Sequence, residues 1–217
     1  MIRFYLDSAA RAEVQPLLGS GLVSGVTTNP TLLQRAGIRN DAIPDLVSWA
    51  TAAGAATVFV QAWGADAGEL ERRGRELARL SAAVVVKIPA TLEGLQATAR
   101  LTADGIPVLV TAVYSAAQVL PAAAAGATYV APYLGRMNDA GRDGFAEIAA
   151  MQRVITACGS RLRVLVASLR SPSDAVRLAE LGVRHFTVAP AVFTRFFEDE
   201  LTDAAVRTFD QAVAAGA

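Results

Sequence analysis

The stretch Ala82-Ala83-Val84-Val85-Val86-Lys87-Ile88-Pro89 is apolar at every position except Lys87. A strand that is apolar on both faces is typical of a parallel sheet that helices cover. The segments on either side, 66–80 and 92–103, carry apolar residues at helical spacing. The stretch therefore predicts a buried parallel strand inside a helix–strand–helix unit.

The same alternation of strand and helix recurs along the chain. Together with 83–88, the predicted strands are 3–6, 25–27, 57–61, 108–111, 129–131, 163–167 and 185–188. Further helices are predicted over 115–125, 145–158 and 172–181. Eight such units within 217 residues predict an α/β protein, a single-domain (β/α)8 TIM barrel over 1–217. An open doubly wound sheet is the alternative, and the lack of any Gly-x-Gly-x-x-Gly or Walker-type glycine loop disfavours it.

The composition excludes several classes of protein. Twenty acidic residues balance twenty basic ones, so no nucleic-acid-binding surface is expected. The single cysteine, Cys158, and the single histidine, His185, cannot form a disulfide or an ordinary zinc site. The chain has neither a signal segment nor an apolar stretch of membrane-spanning length. We therefore expect a cytoplasmic protein without a metal and without membrane contact.

Lys87 is the only lysine of the chain, and the other nineteen basic residues are arginines. On a solvated surface the two residue types serve equally well as cations, but only lysine readily loses its proton and becomes a nucleophilic amine. Its neighbours Val84, Val86 and Ile88 are expected to disfavour the ammonium form. Lys87 is therefore a candidate for imine formation with a carbonyl substrate. The alternative is a lysine that reaches from a core strand to solvent.

Polar residues stand at the carboxyl ends of seven consecutive predicted strands. In a TIM barrel these ends surround the active site. Taken singly, Asp7 also suits a helix cap, and Asn29 before Pro30 suits a turn. The convergence of all of them around one lysine predicts a catalytic pocket. The residues are Asp7, Thr27, Thr28, Asn29, Gln61, Lys87, Thr111, Tyr133 and Ser168.

Several of these residues lie in longer motifs. The motifs are Tyr5-Leu6-Asp7, Gly25-Val26-Thr27-Thr28-Asn29-Pro30, Val86-Lys87-Ile88-Pro89 with Thr91-Leu92-Glu93-Gly94, Thr111-Ala112-Val113-Tyr114, Ala131-Pro132-Tyr133 with Arg136, and Ala167-Ser168-Leu169-Arg170. In this order and spacing, from strand one to strand seven, they resemble the small transaldolase family. The resemblance implies a class I (Schiff-base) aldolase type of barrel with the reactive lysine on strand four, which is where Lys87 lies.

Single positions separate two activities within that family. Small transaldolases usually carry a glutamate at the end of strand three and a phenylalanine after strand six, whereas the fructose-6-phosphate aldolase branch has glutamine and tyrosine there. Gln61, Tyr133 and the segment 111–114 match the aldolase branch. The segment 134–136 looks more like the transaldolase form, and Pro190 stands one position later than in the aldolases.

The resemblance also implies a reaction. Lys87 would form an imine that cleaves or forms the bond between dihydroxyacetone and an aldehyde such as glyceraldehyde 3-phosphate, without a metal or an organic cofactor. Tyr133 would transfer protons through a water held by Gln61 and Thr111. The expected hydroxyl-binding and supporting residues are Asp7, which also suits proton acceptance, Asn29 and Thr27. The expected phosphate ligands are Arg136, Ser168 and Arg170.

Two alternatives to this activity stay open. The first is a transaldolase that moves a dihydroxyacetone unit between sugar phosphates, and the second is a non-catalytic barrel that binds phosphosugars. Family members form pentamers and dimers of pentamers, often with the last helix reaching a neighbour, so a homo-oligomer (pentamer or decamer) is expected. The apolar segment 193–197 is expected either to close the bottom of the barrel or to contact another subunit.

Overall fold

Eight parallel strands form a closed barrel in the computed structural model, which describes residues 1–216. Each strand pairs with the next along the chain, and the eighth pairs with the first. The strands are β1 (Arg3–Asp7), β2 (Val23–Thr27), β3 (Thr57–Gln61), β4 (Val84–Pro89), β5 (Val108–Val113), β6 (Tyr129–Pro132), β7 (Arg163–Val166) and β8 (His185–Val188). The predicted (β/α)8 barrel is confirmed.

Helices surround this barrel and connect its strands. They are α1 (Arg11–Gly19), α2 (Pro30–Arg35), α3 (Ile43–Ala52), α4 (Ala67–Ala78), α5 (Leu92–Ala103), α6 (Val119–Ala124), α7 (Leu134–Asp139), α8 (Gly144–Ala157), α9 (Pro172–Glu180), α10 (Pro190–Thr194) and α11 (Glu200–Ala215). The helix predicted over 115–125 is shorter than expected. Ser115 and Gln118 form a reciprocal capping box, which satisfies the backbone of a separate 3-10 turn before α6 begins.

The apolar residues form two layers because side chains alternate along each strand. One layer fills the barrel interior, and the other lies between the strands and the helices. Val85 belongs to the interior layer. Val84, Val86 and Ile88 belong to the outer layer, so Lys87 has the parity of Val85 and faces the barrel interior. Contrary to the prediction, Val84, Val86 and Ile88 are therefore not the residues that disfavour the ammonium form of Lys87.

The Thr91–Gly94 motif fixes α5 behind the end of β4. The Thr91 hydroxyl accepts a hydrogen bond from the Gly94 amide at 3.0 Å and caps the helix. A Cβ atom at Gly94 would lie 2.0 Å from the Pro89 carbonyl oxygen. Only glycine therefore permits this approach, and it holds the strand that carries Lys87 against its helix.

The segment 193–197 covers the outside of the barrel instead of its bottom. Phe193 is buried, and its ring lies 5.6 Å from that of Phe4. Phe4 in turn packs against Phe186 at 5.5 Å. Phe4 and Phe186 lie on the outer faces of β1 and β8. The segment therefore packs over the outside of the pair formed by the first and last strands. Phe197 remains exposed beside α11.

Candidate active site

The polar strand ends surround a cavity of about 100 Å³ at the carboxyl end of the barrel. The carboxyl ends of the strands meet there, as the parallel topology requires. The polar residues that line the cavity are Asp7, Thr27, Asn29, Lys87, Tyr133, Arg136, Ser168 and Thr187. Its apolar walls are Leu109, Ala131, Leu165 and Ala167.

Lys87 provides a buried amine on the wall of this cavity. Its side chain is 4% exposed, and Nζ donates a hydrogen bond to the backbone carbonyl of Thr28 at 2.6 Å. Burial lowers the pKa of Lys87 to about 8; the Asp7 carboxylate opposes this shift, and the Arg136 guanidinium reinforces it. A substantial fraction of the amine is therefore neutral and nucleophilic near physiological pH.

A chain of hydroxyl groups ends on the Asp7 carboxylate. The Thr27 hydroxyl donates to Asp7 Oδ1 at 2.6 Å. Thr187 Oγ1 lies 2.6 Å from Thr27 Oγ1. Because a threonine hydroxyl has a single hydrogen, Thr187 must donate to Thr27 when Thr27 donates to Asp7. The chain fixes the orientation of the carboxylate and leaves its second oxygen for a substrate hydroxyl.

Tyr133 presents a phenol to the same cavity. Its hydroxyl lies 2.8 Å from the Thr111 hydroxyl, and the Arg136 guanidinium carbon lies 4.8 Å from the centre of its ring. Burial is the main cause that raises the pKa of the Tyr133 phenol above its usual range. Tyr133 is therefore protonated at neutral pH and can donate its proton to a substrate oxygen.

Ser168 adopts a backbone conformation that is rare for residues with a side chain. Its φ is 60°, in the left-handed region, at the end of β7. The amide of Gly135, after β6, donates to the Ser168 carbonyl at 2.9 Å. A Cβ atom at Gly135 would lie 2.6 Å from that carbonyl oxygen and 2.9 Å from Ser168 Oγ. The absence of a side chain at Gly135 thus allows the loops after β6 and β7 to meet at the cavity.

Asn29 connects the cavity to the start of α2. Its Oδ1 accepts a hydrogen bond from the Leu32 amide at 3.0 Å and caps the helix. Asn29 also lines the cavity. Capping occupies the oxygen of the side-chain amide, so its NH₂ group is left to donate to a ligand. The structural and the ligand-facing interpretations of this residue are therefore compatible.

Comparison with known proteins places this chain in a family. A family model described as Transaldolase/Fructose-6-phosphate aldolase matches residues 4–216. The chain belongs to this family. A "Probable transaldolase" of Anaeromyxobacter dehalogenans (strain 2CP-C) is 36% identical over 209 residues, which cover 96% of this chain and 94% of the relative. A "Probable transaldolase" of Methanococcus maripaludis (strain C5 / ATCC BAA-1333) is 37% identical over 210 residues, covering 96% and 95%.

A third relative agrees with this placement, and a solved structure shares the fold. The "Probable transaldolase 2" of Listeria monocytogenes serovar 1/2a is 36% identical over 209 residues, covering 96% of this chain and 94% of the relative. A crystal structure of a "putative phosphonomutase" from Burkholderia cenocepacia superimposes with a TM-score of 0.64 at 14% identity, over 95% of this chain and 93% of that one. That likeness shows the fold alone. The protein is an enzyme of the transaldolase/aldolase type.

Three residues predicted from the family pattern do not line the cavity. Gln61 faces Lys87 across the β3–β4 pairing. Thr111 is buried and reaches the site through its contact with Tyr133. Arg170 is exposed and forms an ion pair with Asp139 at the end of α7. The structure thus brings Arg136 and Ser168, but not Arg170, to the cavity of this transaldolase/aldolase family member.

Thr187 and the Thr28 carbonyl are site groups that the sequence patterns did not indicate. Thr187 stands two residues after His185 on β8, so strand alternation alone places both on the inner face. Thr187 is followed by the apolar residues Val188 and Ala189, so the end of β8 shows no polar residue like those at the ends of the other strands. The carbonyl that accepts from Lys87 has no signature in sequence, because every residue has one.

Residues 1–216 contain neither a candidate metal site nor a candidate membrane-spanning helix. Within that range no three His, Cys, Asp or Glu side chains come together in a way that would hold a metal ion. No helix there has the length and apolarity needed to cross a membrane.

Proposed function

We propose that this protein is a class I aldolase that acts through an imine on Lys87. It would form or cleave the bond between dihydroxyacetone and an aldehyde such as glyceraldehyde 3-phosphate. With that aldehyde, the joined product is fructose 6-phosphate. One observation carries the proposal: the only lysine of the chain is a buried amine with a pKa near 8, on a cavity that it shares with a carboxylate and a phenol. That combination supplies a nucleophile, a base and an acid.

The first stage is imine formation. The neutral Lys87 amine adds to the C2 carbonyl of the ketose, and the Tyr133 phenol donates a proton to the resulting hydroxyl as it leaves as water. The hydrogen bond from Lys87 Nζ to the Thr28 carbonyl orients the amine. Because Nζ is the donor in this bond, its lone pair stays free to attack the carbonyl. The protonated imine then accepts electrons from the adjacent carbon.

The second stage breaks the carbon–carbon bond. The Asp7 carboxylate accepts the proton of the C4 hydroxyl, the C3–C4 bond breaks, and its electron pair moves into the imine. The aldehyde leaves, and an enamine remains on Lys87. The proton held by Asp7 is delivered to C3, and water then hydrolyses the imine, which releases dihydroxyacetone and the free amine and returns a proton to Tyr133. The hydroxyl chain through Thr27 supports Asp7 in this role.

The aldehyde phosphate would bind between the loops after β6 and β7. Arg136 and the Ser168 hydroxyl line the cavity there, and an arginine fork matches phosphate geometry. In the structure, the Arg170 guanidinium is engaged by Asp139 at the surface. We propose that it joins the phosphate only by leaving this ion pair, so Arg136 is the main phosphate ligand.

A transaldolase is the second candidate, because the relatives are named probable transaldolases. Gln61 and Tyr133 favour the aldolase, since they match the aldolase branch of the family. A steady-state assay with fructose 6-phosphate separates the two. The aldolase releases free dihydroxyacetone without any added acceptor, whereas turnover that depends absolutely on an added aldose such as erythrose 4-phosphate would establish the transaldolase.

The pH profile tests how the two charges act on Lys87. Imine formation should rise with pH through about 8, where the amine of Lys87 loses its proton. Asp7→Asn removes the charge that raises the pKa of Lys87, so the rising limb should move to lower pH. Arg136→Gln removes a charge that lowers the pKa, so the limb should move to higher pH.

Imine trapping in a single turnover at each pH measures the rising limb of each variant, even if its steady-state turnover is slow. Shifts in the same direction for the two variants would contradict the electrostatic assignment. Arg142→Gln is a matched control, because Arg142 is exposed and does not line the cavity. Its limb should coincide with that of the wild type.

We further propose that the enzyme is a homo-oligomer whose subunits exchange α11. This helix buries none of its residues in the isolated chain. One of its faces is apolar: Leu201 is 81% exposed, Phe209 is 65% exposed and Val213 is 73% exposed. An exposed apolar face of this kind requires a partner surface, and a second copy of this chain is the partner that the family pattern implies.

Phe209→Asp combined with Leu201→Asp should therefore shift the protein from a pentamer or decamer to single chains. Size-exclusion chromatography with light scattering measures the mass. Gln211→Asp, on the opposite face of α11, is the control and should leave the assembly intact. An unchanged mass in the double variant would rule out α11 as the contact.

A further inference from the structure

The end of the barrel opposite the active site carries a group of unpaired cations. Arg3 begins β1, Arg163 begins β7, and Arg184 precedes β8. The Arg3 amide donates to the Arg184 carbonyl at 2.8 Å, so β1 and the α9–β8 loop are in direct contact. Within residues 1–216, none of the three guanidinium groups forms an ion pair with a carboxylate. The chain has no net charge, so this is a local excess.

His185, the only histidine of the chain, lies near these cations. Its Nδ1 lies 3.5 Å from the Tyr5 hydroxyl, and its ring meets that of Tyr129 at 5.5 Å. Burial first, and then the positive charges of Arg163, Arg3, the chain amino terminus and Arg184, lower the pKa of His185 to about 4. The four charges that act most strongly on the imidazole are all positive.

A cavity of about 370 Å³ opens beside these residues, between α8 and the α9–β8 loop. Its lining contains hydrogen-bond donors and apolar side chains but no acidic residue. The lining residues are Gln152, Thr156, Leu162, Arg163, Val164, Leu181, Gly182, Arg184 and His185. Arg163 is held in place, since its Nη1 donates to the Tyr129 hydroxyl at 3.0 Å. A guanidinium fixed in this way retains other N–H groups for a ligand.

The acidic residues near this end do not neutralise it. Asp104, in the loop before β5, already pairs with Arg75 on α4. Glu180 ends α9, but it is exposed and does not line the cavity. Two arginines that flank a cavity without a carboxylate create a positive potential that favours anions. Guanidinium and hydroxyl groups are donors that suit the oxygens of phosphate.

We propose that this cavity is a second binding site, which takes a phosphate-bearing small molecule between Arg163 and Arg184. The site lies at the amino-terminal ends of β7 and β8, so a ligand in it cannot touch Lys87. Gln152 and Thr156 would bind the remaining phosphate oxygens, and Leu162 and Leu181 would pack against the apolar part of the ligand. Occupation places a negative charge next to His185 and therefore increases its proton affinity.

The single histidine makes the site directly observable. In full-length protein labelled with ¹⁵N-histidine, the His185 ring signals are followed at neutral pH and constant ionic strength. Inorganic phosphate and glycerol 3-phosphate are added in separate titrations. We expect saturable shifts, and binding at least tenfold weaker in Arg184→Gln. Tighter binding of glycerol 3-phosphate would identify an organic phosphate as the ligand class, and tighter binding of inorganic phosphate would identify the free ion.

Two controls separate this site from other effects. Arg161→Gln changes an exposed arginine of the same region that does not line the cavity, and it should bind like the wild type. Arg136→Gln weakens the proposed active-site phosphate contact and should leave the His185 titration unchanged. Shifts that do not saturate, or that are equal in the wild type and Arg184→Gln, would overturn the proposal. Loss of the His185 response in Arg136→Gln would overturn it as well, because the anion would then be acting from the active site.

Discussion

Lys87→Arg is expected to lower kcat for aldol cleavage by at least about 10³-fold, in line with the removal of other covalent nucleophiles. The substitution keeps a positive charge at the end of β4, but a guanidinium stays protonated in proteins and cannot attack a carbonyl. The loss should therefore appear in kcat and in imine formation. Steady-state release of dihydroxyacetone measures the effect.

Lys87→Met is the matched companion of this variant. It removes the charge and keeps an unbranched chain of similar length, so it should be as inactive as Lys87→Arg. If Lys87 served only as a buried cation, Lys87→Arg would retain much of the activity and Lys87→Met would lose it. Circular dichroism of both variants shows whether the barrel is intact. An active, folded Lys87→Arg enzyme would refute the imine mechanism.

Tyr133→Phe is expected to lower kcat by about 10²–10⁴-fold, the usual contribution of one acid–base group. The phenyl ring can keep its packing against Tyr114, whose ring centre lies 5.7 Å away, and its position under Arg136. Only the hydroxyl and its contact with Thr111 are removed. Because the pocket stays filled, KM should change much less than kcat.

Two variants show whether the Tyr133 hydroxyl acts on the substrate or only through packing. Thr111→Val removes the partner of the phenol and should cost only about tenfold, as expected for one hydrogen bond. Tyr114→Phe removes a neighbouring hydroxyl that does not line the cavity but hydrogen-bonds to Arg136, so kcat should stay near the wild-type value while KM rises. Tyr133→Phe with wild-type kcat would exclude this residue as the proton donor.

We favour the aldolase because Gln61 and Tyr133 occur together in this chain, as they do in the aldolase branch of the family. In Tyr133→Phe, a neutral glutamine remains beside Lys87 and cannot replace the lost acid. Adding Gln61→Glu restores the residue pair of the small transaldolases. The double variant is therefore expected to recover transfer of the dihydroxyacetone unit to an aldose acceptor. A double variant as inactive as Tyr133→Phe would show that these positions do not separate the two activities.

The barrel could be predicted from sequence because its parallel strands are continuous apolar runs separated by helical patterns. The run around Val85 is an example, since helices and the barrel interior bury both of its faces. The ring of polar strand ends followed from the topology, which places every carboxyl end at one edge. The pocket containing Asp7, Lys87 and Tyr133 was therefore predictable before any distance was known.

Other features depend on directions that a linear pattern does not contain. Val84 and Val86 flank Lys87 in sequence but point to the opposite face of the sheet. Arg170 follows Ser168 closely, yet Asp139 at the end of α7 binds its guanidinium. Thr187 reaches Asp7 only through Thr27, across the closure between β1 and β8. Such contacts arise from the three-dimensional arrangement of loops and strands.

The central claim is that Lys87 forms the imine, and borohydride trapping with dihydroxyacetone tests it most directly. Lys87 is the only lysine, so the amine groups open to labelling are its Nζ and the chain amino terminus. Peptide mass spectrometry after reduction should find one dihydroxyacetone adduct per chain, on the peptide that contains Lys87. A wild-type enzyme that turns over substrate but shows no adduct on that peptide would contradict the mechanism.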